Sequence, residues 1–280
     1  MKDLISSDRY HITEPLSESV AYKLIELDKL EVIQGDIDNS LSILNDIVFK
    51  TRKDITLRIY NDLSILKKLP EVEKISFVAD YYQDWDILDS LKRITALSIN
   101  GNLKRIKKSI SFLKKYASSL TKLGLEGDFK DIETISALTN LNHLSFVSTS
   151  MDNLQFLKPL PLKYFFNYGS KIKDYTHLSY VPSLEIIYIK KDTRVKEISF
   201  IESIYDLRNL HLWYNSNIIS LPNFENLNQL ELIEVFQCNK LNNIDAAIKL
   251  RECCAVKIWG CKLLPRPNLG YINQKGLLIH

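Results

Sequence analysis

The strongest constraint on the fold is a nine-residue pattern that recurs along most of the chain. LRNLHLWYN (207–215), LEIIYIKKD (184–192), LNHLSFVST (141–149), LTKLGLEGD (120–128) and ITALSINGN (94–102) all read L-x-x-L-x-L-x-x-N. Ile, Val or Phe can stand for Leu, and a small polar residue is accepted at the ninth place. The template also accepts LELIEVFQC (230–238), CCAVKIWGC (253–261), LKYFFNYGS (162–170) and VEKISFVAD (72–80), and more loosely DITLRIYND (54–62) and LDKLEVIQG (27–35). The fourth-place residues are then Leu30, Leu57, Ile75, Leu97, Leu123, Leu144, Phe165, Ile187, Leu210, Ile233 and Val256, at steps of 27, 18, 22, 26, 21, 21, 22, 23, 23 and 23 residues. A unit this short cannot bury its own apolar side chains, so successive units must stack and share one core.

This pattern and spacing resemble the leucine-rich repeat family, in its short bacterial-type form, over roughly residues 27 to 264. The resemblance implies an α/β solenoid, with a curved parallel β-sheet on the concave face and short helices or turns on the convex face. Eight glycines in the whole chain argue against the longer plant-receptor repeat. Small polar groups at the ninth place are expected to hydrogen-bond the turn of the neighbouring unit as a ladder, a thiol doing so weakly at Cys238 and Cys261. SISFLKKYASSL (109–120) has helical apolar spacing, and ISFIESIYDL (198–207) and IDAAIKL (244–250) read as short helices or single turns. The expected organisation is an N-terminal cap at 1–26, about 10 to 11 units over 27–264, and a C-terminal cap or tail at 265–280.

Two places strain the alignment. The early steps of 27 and 18 are irregular. In LKYFFNYGS the chosen register points Asn167 into the core, whereas a slip by one residue would bury Tyr164 and Phe166, because alternate residues of a strand face opposite ways. The first register keeps Leu162, Ser170 and the spacing, and it is preferred.

If the fourth and sixth places are buried, the third, fifth and seventh line the exposed sheet. Leu210 and Leu212 then lie inside, Asn209, His211 and Trp213 meet solvent, and Tyr214 stands at the rim. Middle units present small or polar groups, among them Ala96, Ser98, Gly124 and Ser145. Later units present Tyr164, Phe166, Tyr168, Ile186, Tyr188, Lys190, Trp213, Leu232, Glu234, Phe236, Lys257 and Trp259. With strands about 4.8 Å apart and residues advancing about 3.3 Å, five strands by three places make a patch of roughly 250 Å² in projection. Exposed apolar patches approaching a few hundred Å² mark contact sites, and Tyr and Trp carry much of the energy of such contacts. The alternative is that the tryptophans cover the core edge or pack under a folded-back cap.

The expected site is therefore a protein-binding face made of Phe166, Tyr168, Tyr188, Lys190, Arg208, His211, Trp213, Tyr214, Glu234, Phe236, Lys257 and Trp259. Trp213, Phe236, Trp259 and Tyr188 would be the anchors, with Lys190, Arg208, Glu234 and Lys257 setting orientation.

Chemistry of other kinds finds little support. Five histidines show no paired spacing on one helix, and Cys238, Cys253, Cys254 and Cys261 lack the C-x-x-C pairs of a zinc site, so no metal or cofactor is expected. There is no glycine-rich phosphate loop, G-x-S-x-G or H-E-x-x-H, and no enzyme activity is expected. A formal net charge of +3 is too balanced to argue for nucleic acid. The one basic run, with Lys104, Arg105, Lys107, Lys108, Lys114 and Lys115, reads as a solvated convex face, contact with phosphate being the alternative. MKDLISSDRYHITEP does not read as a secretory signal and no run suits a membrane helix, so a cytoplasmic address with reduced thiols is expected.

Together these readings predict a non-enzymatic protein-binding module, monomeric on its own. The specific expectation is a bacterial immunity protein that blocks a cognate toxin domain, the other readings being an adaptor or scaffold, or weak nucleic-acid binding through the convex basic segment.

Overall fold

The computed structural model describes residues 5–6, 8–60, 62–79, 85–101, 108–248, 250, 254–264 and 277–279. The chain divides into two compact units, one of Met1–Gly124 with Phe129–Asn140, the other of Leu125–Asp128 with Leu141–His280.

In the first unit the strands are β1 (Ile5–Ser6), β2 (Arg9–Ile12), β3 (Val32–Gly35), β4 (Thr56–Ile59), β5 (Lys74–Val78) and β6 (Ala96–Asn100). They lie side by side in chain order, all parallel after the antiparallel β1–β2 pair. Leu57 pairs with Ile75 and Ile75 with Leu97, as the alignment requires. Its start needs correction. Ile33, not Leu30, stands opposite Leu57, so the first repeat is LEVIQGDID (30–38) and Leu30 fills its first place. The irregular step of 27 thereby becomes 57 minus 33, or 24. Leu30 and Ile33 are both buried, which is why apolar spacing alone did not separate the two registers. The segment expected as a cap also contains β2, whose Tyr10 pairs with Ile33 and is buried together with Ile12. Helix α1 (Glu18–Ile25) follows, capped by Ser17, whose hydroxyl accepts from the Val20 N–H, and it buries Ala21 and Leu24. Strand β7 (Lys122–Glu126) runs through the boundary at Gly124.

The second unit continues with β8 (His143–Val147), β9 (Ser150–Met151), β10 (Tyr164–Tyr168), β11 (Lys171–Ile172), β12 (Ile186–Lys190), β13 (Asn209–Trp213), β14 (Leu232–Phe236), β15 (Ala255–Trp259) and β16 (Leu277–Ile279). Strands β8, β10, β12, β13, β14, β15 and β16 form one parallel sheet in that order, and β9 pairs with β11 apart from it. Leu144, Phe165, Ile187, Leu210, Ile233 and Val256 stand opposite one another in sequence. All six are 2% exposed or less, so the aligned fourth places form one continuous buried row. Val256 pairs onward with Leu277, so part of the expected C-terminal tail adds a strand; residues 265–276 lie outside the described residues.

The ninth-place ladder forms. Ser170 Oγ accepts from the Thr149 N–H at 3.1 Å, Asn215 Oδ1 accepts from the Asp192 N–H at 3.0 Å, and Asn215 Nδ2 donates to the Ile189 carbonyl at 2.6 Å. The Cys238 thiol donates to the Leu212 carbonyl at 3.4 Å, and the Cys261 sulfur takes backbone hydrogen bonds from Gln237 and Cys238 of the preceding unit besides its 3.8 Å contact to the Trp259 carbonyl.

A second regularity went unread in the sequence. The eighth-place residues Ser148, Gly169, Lys191, Tyr214, Gln237 and Gly260 all have φ between 50° and 71°. That left-handed turn aims each of the first five N–H groups at the seventh-place carbonyl of the next unit, as in Lys191 N to Trp213 O at 2.8 Å and Tyr214 N to Phe236 O at 2.7 Å. The sheet ladder is thus prolonged by one bond per unit, which offsets the cost of a left-handed non-glycine residue.

Return segments are mostly short 3₁₀ helices of two turns or fewer, including Ser111–Tyr116, Thr176–Tyr180 and Ser199–Ser203, with a short α-helix at Asp245–Ile248. After strand and turn, a period of 21 to 23 residues leaves too few for a longer helix, and 3₁₀ geometry covers more length per residue.

Candidate interaction face of the second unit

Alternation places Tyr164, Phe166 and Tyr168 on the sheet face and Phe165 and Asn167 in the core, so the preferred register of this strand is the one observed. An asparagine at a core place needs partners, and Tyr175 of its own unit and Asp192 of the next supply them for its Nδ2, while its buried Oδ1 has none. Asn167 Nδ2 donates to the Tyr175 hydroxyl at 2.5 Å and to Asp192 Oδ2 at 3.3 Å, and the Tyr175 hydroxyl donates to the same carboxylate at 2.6 Å. Asp192 Oδ1 also accepts from the Arg194 N–H at 2.8 Å. Burial, and then Asp192 beside it, push the Tyr175 phenol well above its usual range. Asp192 of this buried cluster directly follows Lys190 and Lys191 in the chain.

On the outer face the rings run strand to strand. His143 stacks on Tyr164 with centres 5.4 Å apart, so the aromatic row starts one strand earlier than the sequence suggested. Tyr188 lies 6.0 Å from both Tyr164 and Phe166. It stacks flat on His211 at 3.7 Å with planes 2° apart. Trp213 meets the edges of Tyr188 and His211 at 6.0 and 6.1 Å. Phe236 then joins Tyr214, at 4.8 Å, to Trp259, at 5.1 Å. Burial raises the pKa values of Tyr164 and Tyr188.

His211 does not meet solvent as expected. It occupies an outward place but is only 5% exposed, because Tyr188 covers its flat side and Glu234 on the next strand holds its Nδ1 at 2.8 Å. Burial pulls its pKa below the usual value, against the opposing effect of Glu234. The other expected face residues, including Trp213 and Trp259, are half-buried by their neighbours rather than fully open, except Arg208, which is exposed. The Trp213 indole N–H has no acceptor.

Of the four residues expected to set orientation, three have partners within the chain. Glu234 binds Lys257 Nζ at 3.2 Å as well as His211, and Arg208 pairs with Glu231 at 2.6 Å at the amino end of the strands. Lys190 instead lies over rings, 5.0 Å from Trp213 and 5.4 Å from Tyr168. Lys191, which the sequence reading left out, lies 5.4 Å from Tyr168 and 5.7 Å from Tyr214. The left-handed turn at the eighth place brings both Lys191 and Tyr214 against the face. Such ammonium–ring contacts are attractive by about 0.5–1 kcal/mol at exposed sites.

Elsewhere, Lys104, Arg105 and Lys107 of the basic run lie outside the described residues. Of the rest, Lys108 lies over the buried Trp85 ring, and Lys115 pairs with Asp89. Among the described residues no group of three or more His, Cys, Asp or Glu could hold a metal ion, and no helix is long and apolar enough to cross a membrane.

The chain matches no protein-family model and no curated protein. Among solved structures it is similar to internalin C2 (inlC2) from Listeria monocytogenes, with a TM-score of 0.52 and 18% identity over 80% of this chain and 98% of that one. Internalin inlF from the same organism gives 0.58 and 17% over 99% and 87%. The protein in the TLR13–ssRNA13 complex gives 0.64 and 16% over 91% of this chain, which spans 40% of that one. These likenesses establish the fold as that of leucine-rich repeat proteins.

Proposed function

We propose that the chain is a protein-binding module and that its docking surface is the sheet face of β10 to β15. The observation that carries this reading is two groups of packed rings on one face, Phe166, Tyr188 and Trp213, then Tyr214, Phe236 and Trp259, with Trp213 and Phe236 opposite each other on paired strands held in register by a continuous core. Rings that pack against each other are ordered before a partner arrives, so docking costs little side-chain entropy. Half-buried rings of this kind suit the centre of an interface.

In its finer form the proposal is that the partner is a toxin domain, which this protein blocks in the cytoplasm as an immunity protein does. Free thiols at Cys238 and Cys261 are compatible with a reducing compartment. A toxin-domain gene immediately upstream would supply the partner to test, whereas a lone gene or one beside a ligase component would favour an adaptor. In a titration against that partner, Trp213→Ala should weaken binding by about 2 kcal/mol or more and Ser98→Ala should leave it unchanged. Equal effects of the two substitutions would refute the assignment of the face.

A further inference from the structure

We infer that the segment this face receives is an acidic stretch of a protein, its carboxylates taken by Lys190 and Lys191 while its apolar side chains lie on the rings. The inference rests on the docking reading above and adds the chemistry of the partner. Lys190 and Lys191 are consecutive, yet both ammonium groups lie 5.4 Å from the centre of the Tyr168 ring. The left-handed conformation of Lys191, at φ 56°, removes the alternation that would otherwise send the two side chains to opposite sides. Lys191 Nζ is also 3.2 Å from the Tyr168 hydroxyl, which steadies the pair.

The charge on this face is one-sided. Across the outward and eighth places of β10 to β15 stand three ammonium groups, Lys190, Lys191 and Lys257, against the single carboxylate of Glu234. Glu234 is already engaged by Lys257 and His211, so the uncompensated charge gathers at Lys190 and Lys191. Lys171 and Arg194 extend it on the following turns, where Arg194 Nη1 donates to the Lys171 carbonyl at 3.4 Å. An ammonium over a ring keeps its N–H donors free for an incoming acceptor, and two close cations in a half-apolar setting favour an anionic group.

Single-stranded RNA would use the same charges, but it needs open ring faces on which bases stack. Here His211 covers Tyr188, and ammonium groups lie over Tyr168, Trp213 and Tyr214. Carboxylates need only the ammonium donors.

The test uses the full chain and a fluorescently labelled random copolymer of glutamate and tyrosine, with labelled oligouridylate of matched charge as the rival probe, both read by anisotropy. The copolymer should bind at low salt, weaken as salt rises, and bind more tightly than the RNA. The double reversal Lys190→Glu/Lys191→Glu should lower its affinity roughly tenfold or more, and the neutral pair Lys190→Gln/Lys191→Gln by less, with an unchanged circular dichroism spectrum. Reversing the exposed pair Lys67→Glu/Lys68→Glu in the first unit should change little. No binding of the copolymer, tighter binding of the RNA, or equal losses from the two reversals would overturn the inference. Loss of binding with Trp213→Ala but not with the Lys190/Lys191 reversal would leave the docking face standing and remove its acidic partner; indifference to Trp213→Ala as well would remove the face itself.

Discussion

Replacing Asp192 by alanine strips the acceptor from a buried cluster whose geometry permits an estimate of the cost. The residue is 0% exposed, and its two shortest bonds come from the Tyr175 hydroxyl at 2.6 Å and the Arg194 N–H at 2.8 Å. Asn167 Nδ2 and the Ile172 N–H contribute longer ones at 3.3 and 3.4 Å. A buried donor left without its acceptor costs about 1–3 kcal/mol; the Tyr175 hydroxyl is such a donor, whereas the Arg194 N–H is only part-buried and water can replace its bond, so Asp192→Ala should cost about 2–3 kcal/mol. Tyr175→Phe removes the hydrogen bond to the carboxylate and the one accepted from Asn167 Nδ2, and should cost about 1.5–3 kcal/mol. The double variant carries no orphaned hydroxyl but leaves Asn167 Nδ2 with neither acceptor, so its loss should differ from the sum of the two by about 0.5–3 kcal/mol. Urea denaturation followed by circular dichroism and indole fluorescence reads these values, with midpoints compared at constant slope. A loss below about 1 kcal/mol for Asp192→Ala, or strict additivity in the cycle, would refute the view that this cluster holds Asn167 in a core place and braces the Lys190–Lys191 turn.

Two further outcomes follow from the buried titratable groups. Burial pulls the folded His211 pKa below the ordinary imidazole value of about 6.5, so the unfolded chain binds more protons as the pH drops past that value, and stability present above it is lost as the pH falls towards the folded pKa. His211→Gln should flatten that part of the pH dependence of the urea midpoint, and an unchanged slope would contradict the burial argument. Burial pushes the Cys238 thiol up to about 12, so iodoacetamide at pH 8 should leave it unmodified in the folded chain and label it in urea, as peptide mapping would report. Equal labelling in both states would contradict its place in the ladder.

Much of this molecule is written in local spacing. The recurrence of apolar residues at the fourth and sixth places sets which side of each strand is buried, because alternation in an extended chain is a property of the backbone. That is why Leu210, Ile233 and Val256 could be placed opposite one another, and why Trp213, Phe236 and Trp259 could be put on one face, from the sequence alone. Ninth-place polarity likewise announced a ladder, since a small polar group at a fixed offset has few other uses in a packed repeat.

What escaped that reading depends on atoms some twenty residues away in the chain. The register of the first repeat was decided by pairing with Leu57, because Leu30 and Ile33 are both apolar and both buried. Lys191, Tyr214 and Gln237 turn left-handed with no glycine to signal it, since the bond each N–H gains comes from the next strand. His211 lost its solvent to Tyr188 on one side and Glu234 on the other, and the partners that let Asn167 keep its expected core place, Tyr175 and Asp192, were not read from the repeat. Spacing dictates which way a side chain points, but burial and protonation are set by what the neighbouring strands bring to meet it.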